Sequence, residues 1–467
     1  MRKRTLLLAA TLTTGLLTVT PAAAAPSGLA GDFNGDGYRD VAVGAPCTDV
    51  GTMSCAGAVV VLYGSSSGVS ATRKAIITQN SPGVPGTAES TDLFGSALAA
   101  ADLDRDGYSD LVVGATGESI GDRDGVGSGT VLWGGASGLS GGKGLPQPTD
   151  LSEWGGFSRG IATGDFDGDG DTDVTLTGQS HIRLYLGPFT RTGGPLSHYR
   201  AGELGGGYEV IAGDMTGDGA AERIHPHAVD GDSGGQIWYY RWTGTSYKFA
   251  ELPNADGFPG SVGDINGDGY GDLVLGDPTD PSSHKPGGHK GGQITVWYGG
   301  PNGPAPAQTP TVVHQDTTGV PGAGETDDAF GSAVSTGDIN GDGYADVAVT
   351  AHGEDLGNVA EAGSVTVLFG SASGLKTSGA TSYTQNTSGV PGTAEAWDRF
   401  GSAVDLTDLT KDGKADLVIG VDGENGSGGV WTLRGTSTGP TTKGSTGLTA
   451  AGVSLKHGNG FGSVIAQ

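Results

Sequence analysis

The chain has 467 residues, 91 of them glycine, and carries 52 acidic against 25 basic side chains, a formal net charge of −27. So acidic a surface repels a polyanion and excludes nucleic acid as the expected partner. The abundance of glycine favours many tight turns over long helices, and the length is ample for a large core.

The chain opens with MRKR, an apolar run LLLAATLTTGLLTVT and the small-residue stretch PAAAA. This order predicts a secretory signal peptide over 1–24, cleaved after Ala24, with a mature chain of 25–467 outside the cell. The apolar run is short for a membrane span, and no later segment is long and apolar enough for one. The two cysteines, Cys47 and Cys55, lie in GAPCTDVGTMSCAG. In an extracellular setting they are expected to pair, closing a short loop that contributes about 2.5 kcal/mol in the chain-entropy picture.

From there the sequence repeats. DFNGDGYRD begins at Asp32, and six related stretches follow: DLDRDGYSD, DFDGDGDTD, DMTGDGAAE, DINGDGYGD, DINGDGYAD and DLTKDGKAD. Each is preceded by a small, alternating segment such as FGSAVSTGDI. Each is followed by an apolar run such as VAVGAP or LVLGDP, then a variable loop, a second apolar run such as VTVLFG, a turn such as GSASGL and a weaker extended segment. That is four short strands per unit, with no helical periodicity. Four-stranded units in radial repetition predict an all-β, seven-bladed propeller. The first unit lacks an FG strand, whereas the C-terminal FGSVIAQ is an FG strand with no acidic stretch after it. The first blade is therefore expected to be assembled from both ends of the chain.

Oxygen-bearing side chains at alternate positions suit a loop wrapped around one hard cation. Ca²⁺ takes six to eight oxygens, and a glycine permits the sharp turn. Positions one, three, five and nine supply side chains, and position seven a backbone carbonyl. The expected ligands are, in the first copy, Asp32, Asn34, Asp36, Tyr38 and Asp40, and in the second Asp102, Asp104, Asp106, Tyr108 and Asp110. The third offers Asp165, Asp167, Asp169, Asp171 and Asp173, and the fourth Asp214, Thr216, Asp218, Ala220 and Glu222. The fifth offers Asp264, Asn266, Asp268, Tyr270 and Asp272, and the sixth Asp338, Asn340, Asp342, Tyr344 and Asp346. The seventh offers Asp408, Thr410, Asp412, Lys414 and Asp416. The closing acid falls at position nine, while position twelve is apolar (Val43, Val113, Val349). This pattern excludes an EF-hand, whose closing glutamate is at twelve. Up to seven Ca²⁺ ions are expected, with the copies at Asp214 and Asp408 the most divergent.

The order FG…GD-x-[DN]-x-DG-x-x-D…VGAP resembles the FG-GAP repeats of integrin α subunits and of secreted bacterial propellers, over essentially the whole mature chain. The resemblance implies a calcium-braced ring whose ligands bind on the face opposite the acidic loops. On that face lie CTDVGTMSC, GESIGDRDGVGSG, DPTDPSSHKPGGHKGGQ and HGEDLGNVAEAGS. So do three related connections, NSPGVPGTAESTDLFG, TTGVPGAGETDDAFG and TSGVPGTAEAWDRFG, in which Glu89, Glu325 and Glu395 recur with Asp92, Asp328 and Asp398. These acids are expected to order the loops, with a ligand-binding rim as the sharper reading. No nucleophile elbow, zinc motif or phosphate-binding loop is present. His225 and His227 are expected to have packing or surface roles, and His284 and His289 to lie in a flexible loop. His352 with Glu354 is the best acid–base candidate. The expected function is a non-catalytic binding or adhesion module for an extracellular glycan or protein, acting as a monomer. The alternatives are a polysaccharide lyase or glycosidase with its site at the channel mouth, and a purely structural protein.

Overall fold

The computed structural model describes residues 26–148, 155–178, 181–202, 209–226, 236–252, 255–282, 287–455 and 458–466. The proposed signal peptide, His227 and His284 lie outside these residues. Seven antiparallel four-stranded sheets form the blades of a propeller, and the only helical turn among the described residues is Glu424–Gly426. In blades 2 to 7 the strands run from the centre outward in chain order. Blade 6 is typical: Phe330–Gly337, Asp346–Ala351, Ser364–Phe369 and Lys376–Tyr383.

The first blade confirms closure from both ends. Its inner strand is Val464–Ile465, which pairs antiparallel with Val41–Ala45 through Val43–Ile465 and Gly44–Val464. Ala58–Leu62 and Lys74–Ile77 complete the sheet. The Cys47–Cys55 disulfide is formed, and Cys47–Thr48 pairs with Gly458–Asn459 beside the closure.

The two middle strands of each blade are apolar because both of their faces are covered by neighbouring blades. Val59 and Val61 of blade 1, for instance, pack with Leu98, Leu111 and Val113 of blade 2. The fourth blade departs from this pattern. RIHP stands where the other units have an apolar run, and Glu222–Pro226 still forms the second strand, with Arg223 and His225 fully buried. The Arg223 guanidinium lies 5.4, 5.6 and 5.0 Å from the ring centres of Phe166, Tyr240 and Tyr247. Burial lowers its pKa, and the aromatic faces offset part of that cost.

Adjacent blades are joined through their backbones. The phenylalanine of an FG strand is buried, and its N–H donates to the preceding blade. The pairs are Phe94 to the Ala56 carbonyl at 3.0 Å, Phe330 to Gly291 at 2.7 Å, Phe400 to Ala362 at 2.9 Å and Phe461 to Ser427 at 3.3 Å. The next residue of each acceptor segment is a glycine (Gly57, Gly292, Gly363, Gly428) with φ between 83° and 96°. A Cβ there would collide with the backbone of the incoming phenylalanine.

Gly57→Ala should therefore lower stability in chemical denaturation by at least about 3 kcal/mol, combining left-handed strain with displacement of a blade joint. Gly51→Ala, in the same loop with φ 65° and open space around it, should cost only about 1 kcal/mol.

Candidate functional site

Six of the acidic stretches connect the first and second strands of their blades, the Asp32 stretch leads into the second strand of blade 1, and all seven share a turn conformation. The position-one carboxylate accepts the N–H groups that follow it around the turn. Asp32 takes Gly35 and Gly37, both at 2.7 Å. Asp165, Asp214, Asp264 and Asp338 repeat this with the glycines of their own loops, and Asp408 accepts from Asp412 and Gly413. The position-five acids Asp36, Asp106, Asp169, Asp218, Asp268, Asp342 and Asp412 each accept the N–H of position seven.

The position-nine acid has a further role that the sequence did not disclose. It is at most 5 % exposed in every copy. One of its oxygens accepts the N–H of position two in all seven blades, at 2.7–3.1 Å. In six blades the other oxygen accepts a glycine N–H where the third strand turns back, at 2.8–3.0 Å: Gly64, Gly134, Gly187, Gly299, Gly370 and Gly435. The fourth blade differs, because Thr216 donates to Glu222 Oε1 at 3.2 Å. Burial is the main cause of the raised pKa of these acids, and the other acids of each loop add to it. Asp40 is pushed up to about 8, Asp110, Asp173 and Asp346 to about 7, and Asp272 to about 6.

These loops could hold a metal ion. Carboxylate oxygens of Asp102, Asp104 and Asp110 lie within 4.8 Å of one another, as do those of Asp165, Asp167 and Asp173. Asp104 Oδ1, Asp167 Oδ1 and the divergent Thr410 Oγ1 are buried without a hydrogen-bond donor, the condition of oxygens fitted to a cation. In the second blade Arg191 reaches in from blade 3 to the outer oxygens of Asp104 and Asp106, at 2.6 and 2.5 Å. Lys411, at position four of the seventh loop, points away to the Tyr38 ring, 5.7 Å from its centre. Lys414 stays within 3.9 Å of Asp412.

On the opposite face the three related connections are built alike. Asp92, Asp328 and Asp398 are buried and accept the N–H groups of Glu89, Glu325 and Glu395 at 2.6–2.7 Å. This is the loop-ordering role expected of them. Sequence reading missed the glutamine that opens each connection. Gln79, Gln315 and Gln385 donate to Glu118, Glu354 and Glu424 at 2.5–2.7 Å, and the signal lay in TQNSPGVPG, HQDTTGVPG and TQNTSGVPG. Glu354 is thus engaged by Gln315, while the charged neighbours of His352 are Arg399, Asp422 and Glu361. His225 is a packed core residue against Tyr240, and His289 lies in the loop between the second and third strands of blade 5, stacked on His314. The central channel, about 600 Å³, is lined largely by small side chains of the inner strands. Asp405 stands in it, hydrogen-bonded by Ser335 at 3.2 Å and raised to about 6 by burial.

Residues 24–52, 94–132, 260–297, 330–368 and 400–433 match the FG-GAP repeat, and 165–224 match an FG-GAP-like repeat. The chain belongs to the FG-GAP repeat family. Among relatives of this FG-GAP protein, integrin alpha-PS2 of Drosophila melanogaster is 29% identical over 227 residues, 42% of this chain and 15% of that one. Integrin alpha-IIb of Mus musculus is 40% identical over 90 residues, 19% of this chain and 8% of that one. The phosphatidylinositol-glycan-specific phospholipase D of Rattus norvegicus is 33% identical over 156 residues, 33% of this chain and 17% of that one. The FG-GAP chain therefore matches less than a fifth of the length of each of these relatives. A solved structure of an Agrocybe aegerita lectin recognising non-reducing terminal N-acetylglucosamine aligns at TM-score 0.40 and 16% identity, covering 76% of this chain and 83% of that one.

Two outcomes follow for this FG-GAP ring. Asp346→Ala strands the N–H groups of Ile339 and Gly370 and should cost about 3 kcal/mol in denaturation with chelator present, Asp346→Asn about half of that. Burial and the nearby Asp92 raise Glu118 to about 7, and burial with Asp328 does the same to Glu354, both from 4.5. For such acids the fold prefers the protonated form, so their contribution is most favourable below about 4.5 and is lost as pH rises through 7. The Glu118→Gln, Glu354→Gln double variant, which removes both charges and keeps an acceptor for each glutamine, should lose less Tm than the parent between pH 4.5 and pH 8.

Proposed function

We propose that this protein is a secreted, calcium-braced FG-GAP propeller that acts as a monomeric, non-catalytic binding module. Its ligand is an extracellular glycan or protein held on the face away from the acidic loops. The observation that carries the reading is Trp397. It is 55 % exposed, yet its backbone is left-handed at φ 72° and its N–H is fixed to the Ala360 carbonyl at 2.9 Å. A bulky residue held in that conformation marks a constrained position. The equivalent residues of the sister connections, Thr91 and Asp327, share the conformation without the ring. Arg399 lies 6.0 Å from the Trp397 ring centre and reaches Glu361 at 3.3 Å. An indole presented on rigid backbone beside a guanidinium is a low-entropy contact for a sugar face or a protein side chain.

Calcium on the opposite face would be held by the loop acids and by position-seven carbonyls, and it would supply positive charge where carboxylates converge. A site with a dissociation constant near 10⁻⁴ M in about 1 mM Ca²⁺ contributes about 1.4 kcal/mol. Calcium titration by calorimetry and thermal melting should show several ions per chain and a raised Tm that reverses with chelator. A flat response would remove calcium from the proposal.

Retention of the chain on immobilised cell-wall and matrix glycans and extracellular proteins in millimolar Ca²⁺, with assay for new chain ends, tests the binding role. One retained class, no new ends and at least a tenfold loss in Trp397→Ala are expected. New chain ends would instead establish an enzyme.

A further inference from the structure

We propose that His289, His314 and Asp316 form a binding site for a divalent transition-metal ion of the zinc class, on the face opposite the acidic loops and separate from them. His289 ends the loop between the second and third strands of blade 5, and His314 and Asp316 follow that blade's outer strand, Thr311–Val313. Candidate ligand atoms of all three residues lie within 4.8 Å of one another.

The hydrogen bonds leave these donors free. His289 Nδ1 lies 2.8 Å from the Lys290 carbonyl, which can only accept, so Nδ1 carries the proton. In the neutral ring Nε2 is then a bare lone pair, and it faces Asp316 Oδ2 at 3.4 Å. Such a contact is satisfied either by a second proton, which makes an imidazolium–carboxylate pair, or by a metal ion held between the two. Asp316 Oδ1 is occupied by the Gly324 N–H at 3.1 Å, which leaves Oδ2 for that cation. The His314 ring lies flat against His289, centres 3.6 Å apart and 7° from parallel, and its Nδ1 is buried without a partner.

The chain contains its own control. The connection from blade 5 to blade 6 is the sister of those into blades 2 and 7, with the same internal hydrogen bonds. Thr317 caps the His314 N–H as Ser81 caps Thr78 and Thr387 caps Thr384. Asp316 receives Gly324 as Asn80 receives Ala88 and Asn386 receives Ala394. Four positions at which the sister connections agree are altered in the blade 5 copy; Ala323 for threonine is one, and the other three bear on the cluster. His314 replaces threonine and Asp316 replaces asparagine. Gly324 replaces alanine, at a point where a Cβ would meet the Lys290 carbonyl at 2.5 Å and press to 3.2 Å on both Asp316 Oδ2 and His289 Cε1. The sister connections fold without the histidine and the aspartate, and these two changes supply ligand atoms to the cluster, whereas the glycine also makes room for the Lys290 carbonyl.

Two imidazoles and a carboxylate suit zinc and its neighbours, with a fourth position open for water or a ligand carboxylate, whereas Ca²⁺ favours an all-oxygen set. Bonds of about 2.0–2.1 Å require donors about 3.3 Å apart. The rings must therefore fan out of their parallel stack. The His289 and Asp316 side chains are 27 % and 48 % exposed, so the movement displaces little core. The ion would tie the loop after the second strand of blade 5 to the connection into blade 6.

The test uses the full, untagged mature chain in millimolar Ca²⁺, which occupies the acidic loops. Zn²⁺ is titrated by calorimetry, and Co²⁺ is added in parallel to read tetrahedral nitrogen coordination from its visible absorption. The His314→Thr, Asp316→Asn variant restores the residues of the sister connections and should keep its zinc-free Tm. The parent should bind one Zn²⁺ more than this variant, or bind Zn²⁺ at least tenfold more tightly, and only the parent should give the Co²⁺ band. His289→Gln should behave like the double variant. No saturable binding by the parent up to about 0.1 mM Zn²⁺, or equal binding by parent and variants, would overturn the proposal.

Discussion

Blades of this ring meet backbone to backbone, at the point where the phenylalanine of one FG strand reaches the glycine that precedes the third strand of its neighbour. The N–H of Phe94 on the Ala56 carbonyl, and of Phe461 on Ser427, fixes the spacing of successive sheets before any side chain is placed. Once that spacing is set, the apolar middle strands have a partner on each side and the core follows. The same contact fixes the loops. The connection that ends in FG and the loop that ends in the joint glycine are held together at their roots, so the face they form is anchored at each of these joints.

On the other face the position-nine acid has the equivalent role. With one carboxyl group bonded to position two and to the turn after the third strand, six of the seven blades lock their acidic loop to their own outer half. The cost is a buried charge, visible in the raised pKa of Asp40 and its counterparts. The ring as a whole concentrates negative charge at seven points on one rim and leaves the other face free for more varied chemistry. Scaffold and variable surface are divided cleanly because strand alternation sends the two kinds of loop in opposite directions.

Much of this was legible in the sequence because it repeats. Seven acidic stretches, the four-strand unit, the ring closed from both ends and the Cys47–Cys55 pair are local or periodic signals. What escaped was non-local. The burial of Arg223 depends on aromatic residues, Phe166, Tyr240 and Tyr247, that lie away from it in the chain. The second role of Asp40 depends on Gly64, 24 residues later. The stacking partner of His289, His314, lies beyond a whole strand. The glutamines of the three connections were visible but silent, since nothing in a TQN triplet says which glutamate it will meet.

The closing strand, Val464–Ile465, has mechanical consequences. It holds the ring with two residue pairs, where the corresponding strand of blade 7, Phe400–Thr407, registers six. Tension between the ends of the described chain would load this short clasp first, and the ring would unzip at one seam before any other blade felt the force. The Cys47–Cys55 bridge and the Cys47–Thr48 ladder with Gly458–Asn459 lie beside that seam, so the molecule's covalent reinforcement stands next to its weakest fastening.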